Sequence, residues 1–130
     1  MCTKAALLTG LFVAMMILIR GHAHSEQTPT IMPVKSNEVC MVTDRVMGRP
    51  QIPVEVDGKV YYGCCQGCKR RLKNDVNLRF ATDPLTGRRV DKAKAVIIEG
   101  TRGEALYFES VDTAMRYRVS AAKGEKQQKP

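Results

Sequence analysis

Residues 52–69 read Ile52-Pro53-Val54-Glu55-Val56-Asp57-Gly58-Lys59-Val60-Tyr61-Tyr62-Gly63-Cys64-Cys65-Gln66-Gly67-Cys68-Lys69. Ile52, Val54 and Val56 alternate with Pro53, Glu55 and Asp57, the period of a half-buried strand. Asp57-Gly58 supplies the positive-φ residues of a two-residue hairpin turn, and Val60–Gly63 returns as the second strand. Counting outward from the turn sets Val54 opposite Tyr61. Pro53 has no N–H for a ladder, so the first strand is expected at an edge. The hairpin runs without a linker into a cysteine cluster. A helix is expected over Lys69–Lys73, ending near Asn74-Asp75, with Leu72 turned to the core.

Downstream, Asp83-Pro84-Leu85-Thr86-Gly87 reads as a turn. Ala95–Ile98 and Leu106–Phe108 read as paired buried strands around a loop containing Gly100 and Gly103. Ser110 is a suitable N-cap for a last helix, and Asp112 complements its positive end. Val111, Ala114, Met115 and Val119 then fall at helical spacing and are expected to pack on the sheet. The fold class is α+β: a hairpin and helix followed by a strand–strand–helix half.

Upstream, Lys4 precedes an apolar run from Ala5 to Ile19, and Gly21 and Ala23 stand at −3 and −1 of a cut before His24. This is the anatomy of a secretory signal peptide over residues 1–23. The run is shorter than the roughly 20 residues a spanning helix needs, so the chain is expected to touch the membrane only through this segment. Residues 24–37 are polar, with Pro29 and Pro33, and read as a flexible linker. The folded domain is expected over residues 38–120, and residues 121–130 as a disordered tail. The whole chain is 130 residues with a formal charge of +8, 44% apolar, 26% charged and 5% aromatic, with no tryptophan. That length suits one domain. A secreted address places the protein in the periplasm or outside the cell. It argues against nucleic acid as a partner, as does the lack of aromatics among the basic residues. No phosphate-cradling glycine loop, Ser-His-Asp set or paired carboxylates appear, so no enzyme of those kinds is expected.

Of the five cysteines, Cys2 lies in the signal segment; Cys40, Cys64, Cys65 and Cys68 remain. A hairpin folds its ends together, which can bring Cys40 near Cys64. A helix N-terminus beside Cys64, Cys65 and Cys68, with Lys69, Arg70 and Arg71 nearby, favours thiolates. Three or four soft sulfurs suit Cu(I) or Zn(II). Met41 and Met47 flank Cys40 in sequence and offer thioethers, which would select Cu(I) over Zn(II), or else fill core space. Disulfides are the competing reading, with three possible pairings of four cysteines. Three cysteines crowded into residues 64–68 suit a site better than a scaffold, because short loops gain little from cross-linking. A second competitor is a thiol–disulfide oxidoreductase using Cys65-Gln66-Gly67-Cys68. A third is an interaction module in which zinc or disulfides only hold the fold, with Lys69, Arg70, Arg71 and Lys73 as a docking face.

The spacing of Cys40, Cys64 and Cys68 resembles the cysteine pattern of TRASH domains. The block Val60-Tyr61-Tyr62-Gly63-Cys64-Cys65-Gln66-Gly67-Cys68-Lys69 is similar to the tyrosine-rich strand and cysteine turn of YHS domains. The likeness covers roughly residues 38–77, and Gly63 stands where a phenylalanine is usual. It implies a treble-clef-like module of metal sensing, trafficking or resistance. Cys40, Cys64 and Cys68 would then be ligands, and Cys65 the fourth ligand or an exchange position. The second half more faintly resembles secreted copper chaperones of nitrous-oxide reductase maturation. What matches is Asp83, Thr86 and Gly87, then Val90-Asp91-Lys92-Ala93, then Tyr107, Phe108 and Ser110. This implies a Cu(I) carrier, with Zn(II) as the alternative ion and a metal-receiving envelope protein as partner.

Overall fold

The computed structural model describes residues 30–126. The expected signal segment and residues 24–29 of the expected linker lie outside the described residues, as do residues 127–130. The fold is α+β; among the described residues eight short strands pair in order as four antiparallel two-stranded ribbons, beside two α-helices.

The strands β1 (Val39–Cys40) and β2 (Arg45–Val46) flank a tight turn over residues 41–44. Next come β3 (Ile52–Val56) and β4 (Lys59–Gly63), with Val54 opposite Tyr61 as the turn chemistry predicts. Asp57 and Gly58 both hold positive φ, +52° and +71°, which closes the hairpin in two residues. Helix α1 spans Gln66–Asn74. It starts before the expected Lys69 because Cys65 caps it, the Cys65 sulfur accepting from the Cys68 amide at 3.4 Å.

The second half contains β5 (Phe80–Thr82) paired with β6 (Arg89–Asp91), then β7 (Val96–Glu99) paired with β8 (Ala105–Phe108), then α2 (Val111–Lys126). The β7–β8 ribbon has apolar residues on both faces, which explains its continuous apolar sequence. Ile97, Ala105 and Tyr107 face one core with Val54, Tyr61 and Leu72, whereas Ile98 and Phe108 face a second core with Ala114 of α2.

Three expectations at the edges need correction. The linker expected up to residue 37 is tied down from Ile31 onward. Ile31 packs on the Ile98 core, the Val34 amide donates to the Ile97 carbonyl at 2.8 Å, and Ser36–Glu38 form a 3₁₀ turn. Strand β7 has a free edge, and that edge captures the segment. The tail expected from residue 121 is instead helical to Lys126, since Ala121, Ala122 and Lys123 are strong helix formers. Val111 is exposed at 49%, and Tyr117, which was not expected to pack, covers Phe108 with ring centroids 5.3 Å apart. Ser110 does cap α2, its hydroxyl accepting from the Thr113 amide at 3.2 Å. No helix among the described residues is long and apolar enough to cross a membrane.

Candidate metal centre

Two structural units bring the sulfurs together. The first is the turn after β1. The Met41 amide donates to the Tyr62 carbonyl at 2.9 Å, which fixes Cys40 beside the end of β4. The second is the junction from β4 to α1, where the strand ends at Gly63 and Cys64, and Cys68 lies one helical turn further on. The outcome is a cluster of Cys40, Cys64 and Cys68 in which all three Sγ atoms lie within 4.8 Å of one another. Cys64 Sγ and Cys68 Sγ are 3.6 Å apart, and Cys40 Sγ and Cys68 Sγ 3.9 Å.

These separations suit coordination and not bonding. A disulfide needs about 2.0 Å between sulfurs, and all four described cysteines are free. A tetrahedral thiolate site with metal–sulfur bonds of about 2.3 Å puts its sulfurs roughly 3.8 Å apart. Cys40 is fully buried and Cys68 nearly so, while Cys64 is exposed. The cluster therefore has two buried thiols and one exposed at its mouth, and it is able to hold a metal ion.

The thiols are not equivalent. Burial alone would raise Cys40, but hydrogen bonds from the Thr43 hydroxyl and from the backbone of Thr43, Cys64 and Val42 outweigh it and bring the thiol down to about 6. Cys68 is pushed up to about 12, first by burial, then by hydrogen bonding to Cys65 and Cys64 and by the charge on Cys40. Cys64 is also raised, chiefly by its hydrogen bond with Cys40. Exposed Cys65 is lowered by the Cys68 amide at the helix start. The helix start thus lowers Cys65 as expected, but Cys64 and Cys68, also expected to favour the thiolate there, are raised, and the charges of Lys69, Arg70 and Arg71 are not among the leading causes.

Of the other residues singled out, Cys65 is exposed and its sulfur serves as the α1 cap, outside the three-sulfur cluster. Met41 is fully buried in the apolar core beside Val39 and Leu72, the core-filling role. Met47 is half-buried, past β2. Sequence reasoning missed Thr43 as a hydrogen-bond donor to Cys40. It also missed a buried polar group behind the turn, where Lys92, 3% exposed, places its ammonium 2.6 Å from Asp44 Oδ1 and 2.8 Å from the Met41 carbonyl. Lys92 lies in the stretch that carried the copper-chaperone likeness, but nothing in a sequence marks a lysine as buried. Compared with protein-family models, curated proteins and solved structures, the chain matches none of them.

Proposed function

We propose that this chain is a secreted or periplasmic soft-metal carrier that holds Cu(I) at Cys40, Cys64 and Cys68, within a TRASH- or YHS-like, treble-clef-like module. The observation that carries the reading is a three-sulfur cluster with two buried members and one exposed. Soft sulfur donors select Cu(I) or Zn(II) over hard cations. Among the described residues no carboxylate or imidazole joins the three thiols, and Zn(II) in structural sites normally takes four ligands. Three sulfurs alone suit Cu(I) better. The exposed Cys64 leaves the ion reachable by an incoming thiolate, as a carrier requires and a closed structural site does not. Cys65, exposed beside Cys64, is the thiol through which the ion would be exchanged with a recipient in the envelope.

The test is elemental analysis and Cu(I) competition on purified protein. About one soft ion per chain is expected, lost in Cys40→Ser and Cys68→Ser and retained in Cys65→Ser. Retention of the ion by Cys40→Ser would overturn the reading.

One observation favours thiol–disulfide exchange instead: Cys65 is exposed, caps a helix and has a lowered pKa. Its partner in the motif, Cys68, is buried and drawn into the three-sulfur cluster, which leaves it poorly placed to resolve a mixed disulfide. Insulin reduction separates the two readings, since an oxidoreductase reduces insulin without needing Cys40.

A further inference from the structure

We propose that Lys92 is a positioning residue for the sulfur cluster: from the second half of the molecule its ammonium holds the 41–44 turn, and so the place of Cys40 at its start. The inference rests on the soft-metal reading of Cys40, Cys64 and Cys68 and asks what keeps that site in shape.

A buried lysine needs a reason, because desolvating an ammonium is costly unless its charge and donors are matched. The surroundings of Lys92 match them closely. Its Nζ donates to Asp44 Oδ1 at 2.6 Å and to the Met41 carbonyl at 2.8 Å, and it stands 5.1 Å from the centre of the Tyr107 ring. The Tyr107 hydroxyl donates to the same Asp44 oxygen at 2.9 Å. Lys92 is itself anchored, its amide donating to the Arg79 carbonyl at 3.0 Å. These contacts grip both ends of the turn. Met41 is the residue after Cys40, and Asp44 is the last before β2.

Asp44 sits at φ +50°, a left-handed conformation that aspartate tolerates better than most residues and that its contacts hold in place. Its neighbours come from the second half. The Asp44 carbonyl accepts from the Ala105 amide at 2.8 Å, while its carboxylate takes Lys92 and Tyr107. Cys40 stands just before the turn and pairs with Arg45 just after it, so the shape of the turn sets where the Cys40 sulfur meets Cys68. Lys92 acts by holding that turn, as the outer partners of metal ligands elsewhere fix ligand orientation.

The experiment compares Cu(I) affinity, by competition with a chromophoric chelator, in the full-length protein and in Lys92→Met, Asp44→Asn and Ile98→Ala. The last lies in the core beneath α2, away from the turn, and controls for lost stability. Lys92→Met is expected to bind Cu(I) roughly tenfold to a hundredfold more weakly and to exchange the Val42 and Thr43 amides faster in the metal-free state. Ile98→Ala should lower the melting temperature and leave the affinity unchanged. Unchanged affinity in Lys92→Met, or an equal loss in Ile98→Ala, overturns the proposal. Should Lys92→Met not fold, Asp44→Asn decides, because it removes the carboxylate charge by which Lys92 grips the end of the turn and leaves Lys92 in place. Weaker Cu(I) binding supports the proposal and wild-type affinity overturns it. Wild-type protein that binds neither Cu(I) nor Zn(II) removes the metal-site reading itself, a failure seen before any variant is compared.

Discussion

Gly63 and Cys68 are pressed together where β4 passes into α1: a Cβ added at Gly63 would lie 2.9 Å from Cys68 Cβ and 3.2 Å from the Lys69 amide nitrogen. The helix start can tuck under the strand end because no side chain stands between them. Gly63→Ala forces Cys68 and the first turn of α1 outward. Overpacking of this kind costs about 1–3 kcal/mol, and it moves one of the three sulfurs. The expected outcome is a lower urea midpoint together with weaker Cu(I) binding. A variant with reduced stability and wild-type affinity would show that the cluster does not depend on this approach.

Metal affinity should depend steeply on pH, because the ion binds thiolates and must displace protons. With Cys40 at about 6, one sulfur is already ionised at neutral pH, whereas Cys64 is raised and Cys68 stands at about 12. Binding near neutrality thus releases about two protons, and log affinity should rise by about two per pH unit; below pH 6 Cys40 is protonated as well and the slope should steepen to about three. In the metal-free protein the depressed Cys40 contributes stability that is present above the ordinary thiol range and lost as pH falls through about 6. Cys68, raised, has the opposite sign: its contribution is present below the ordinary range and lost as pH rises towards 12. Competition titrations between pH 5.5 and 8 test the slope, and a flat profile would rule out thiolate ligation.

The hairpin was readable in the sequence because its signals are local. The alternation of Ile52, Val54 and Val56 and the Asp57-Gly58 turn dictate the pairing of Val54 with Tyr61, and the structure keeps it. The convergence of the sulfurs was readable in outline, because the hairpin returns Gly63 towards the segment before Ile52, but the Met41–Tyr62 bond that sets Cys40 beside it was not. What could not be read depends on contacts distant in sequence. Nothing near Lys92 shows that its ammonium meets Asp44, and nothing near Cys40 shows that turn amides, and not the cations of α1, adjust its thiol. Ile31 and Val34 carry no strand pattern of their own; they are held by Ile98 and Ile97, far along the chain. Lys126 is helical by propensity continuing past the last packed turn, which a reading based on apolar period ends too soon.

Asp91 joins the two halves. Its carboxylate accepts from Lys59 Nζ at 2.6 Å and from the Tyr61 hydroxyl at 3.0 Å, both on β4, and from the Ala93 amide at 3.0 Å. Burial acts to raise the group, but Lys59, the Ala93 amide and Tyr61 win and hold it below the usual carboxylate range. The sign follows: the contribution is present above the unfolded pKa of about 4 and lost as pH falls through the lower folded value. Burial first, and then this contact with Asp91, raises Tyr61 to about 12. Asp91→Asn should destabilise by about 1–3 kcal/mol at neutral pH and narrow the gap to wild type in acid. Urea unfolding at pH 7 and pH 3 measures both, and an equal gap at the two pH values would contradict the assignment.

Asp83 does for the second half what the 41–44 turn does for the first, and it should separate fold stability from metal binding. It is fully buried. Oδ1 accepts from the Leu85 and Thr86 amides at 2.8 and 3.2 Å, closing the turn, and Oδ2 accepts from the Glu109 amide at 3.0 Å, tying that turn to the end of β8. Burial would raise the carboxyl, yet the amides of Glu109, Leu85 and Thr86 lower it, so the ionised form is the one the fold is built around. In Asp83→Asn the charge is lost and an amide group is turned towards backbone donors, which leaves at least one of them unpaired. That should cost about 3 kcal/mol, seen as a fall in melting temperature and in the urea midpoint at pH 7. No atom of Asp83 bonds to Cys40, Cys64, Cys68 or the 41–44 turn among the hydrogen bonds of the described residues. The folded fraction should therefore bind Cu(I) with wild-type affinity, in contrast to Lys92→Met. An equal loss of affinity in Asp83→Asn would mean that the second half supports the sulfur cluster as a whole and not through the Lys92–Asp44 contact.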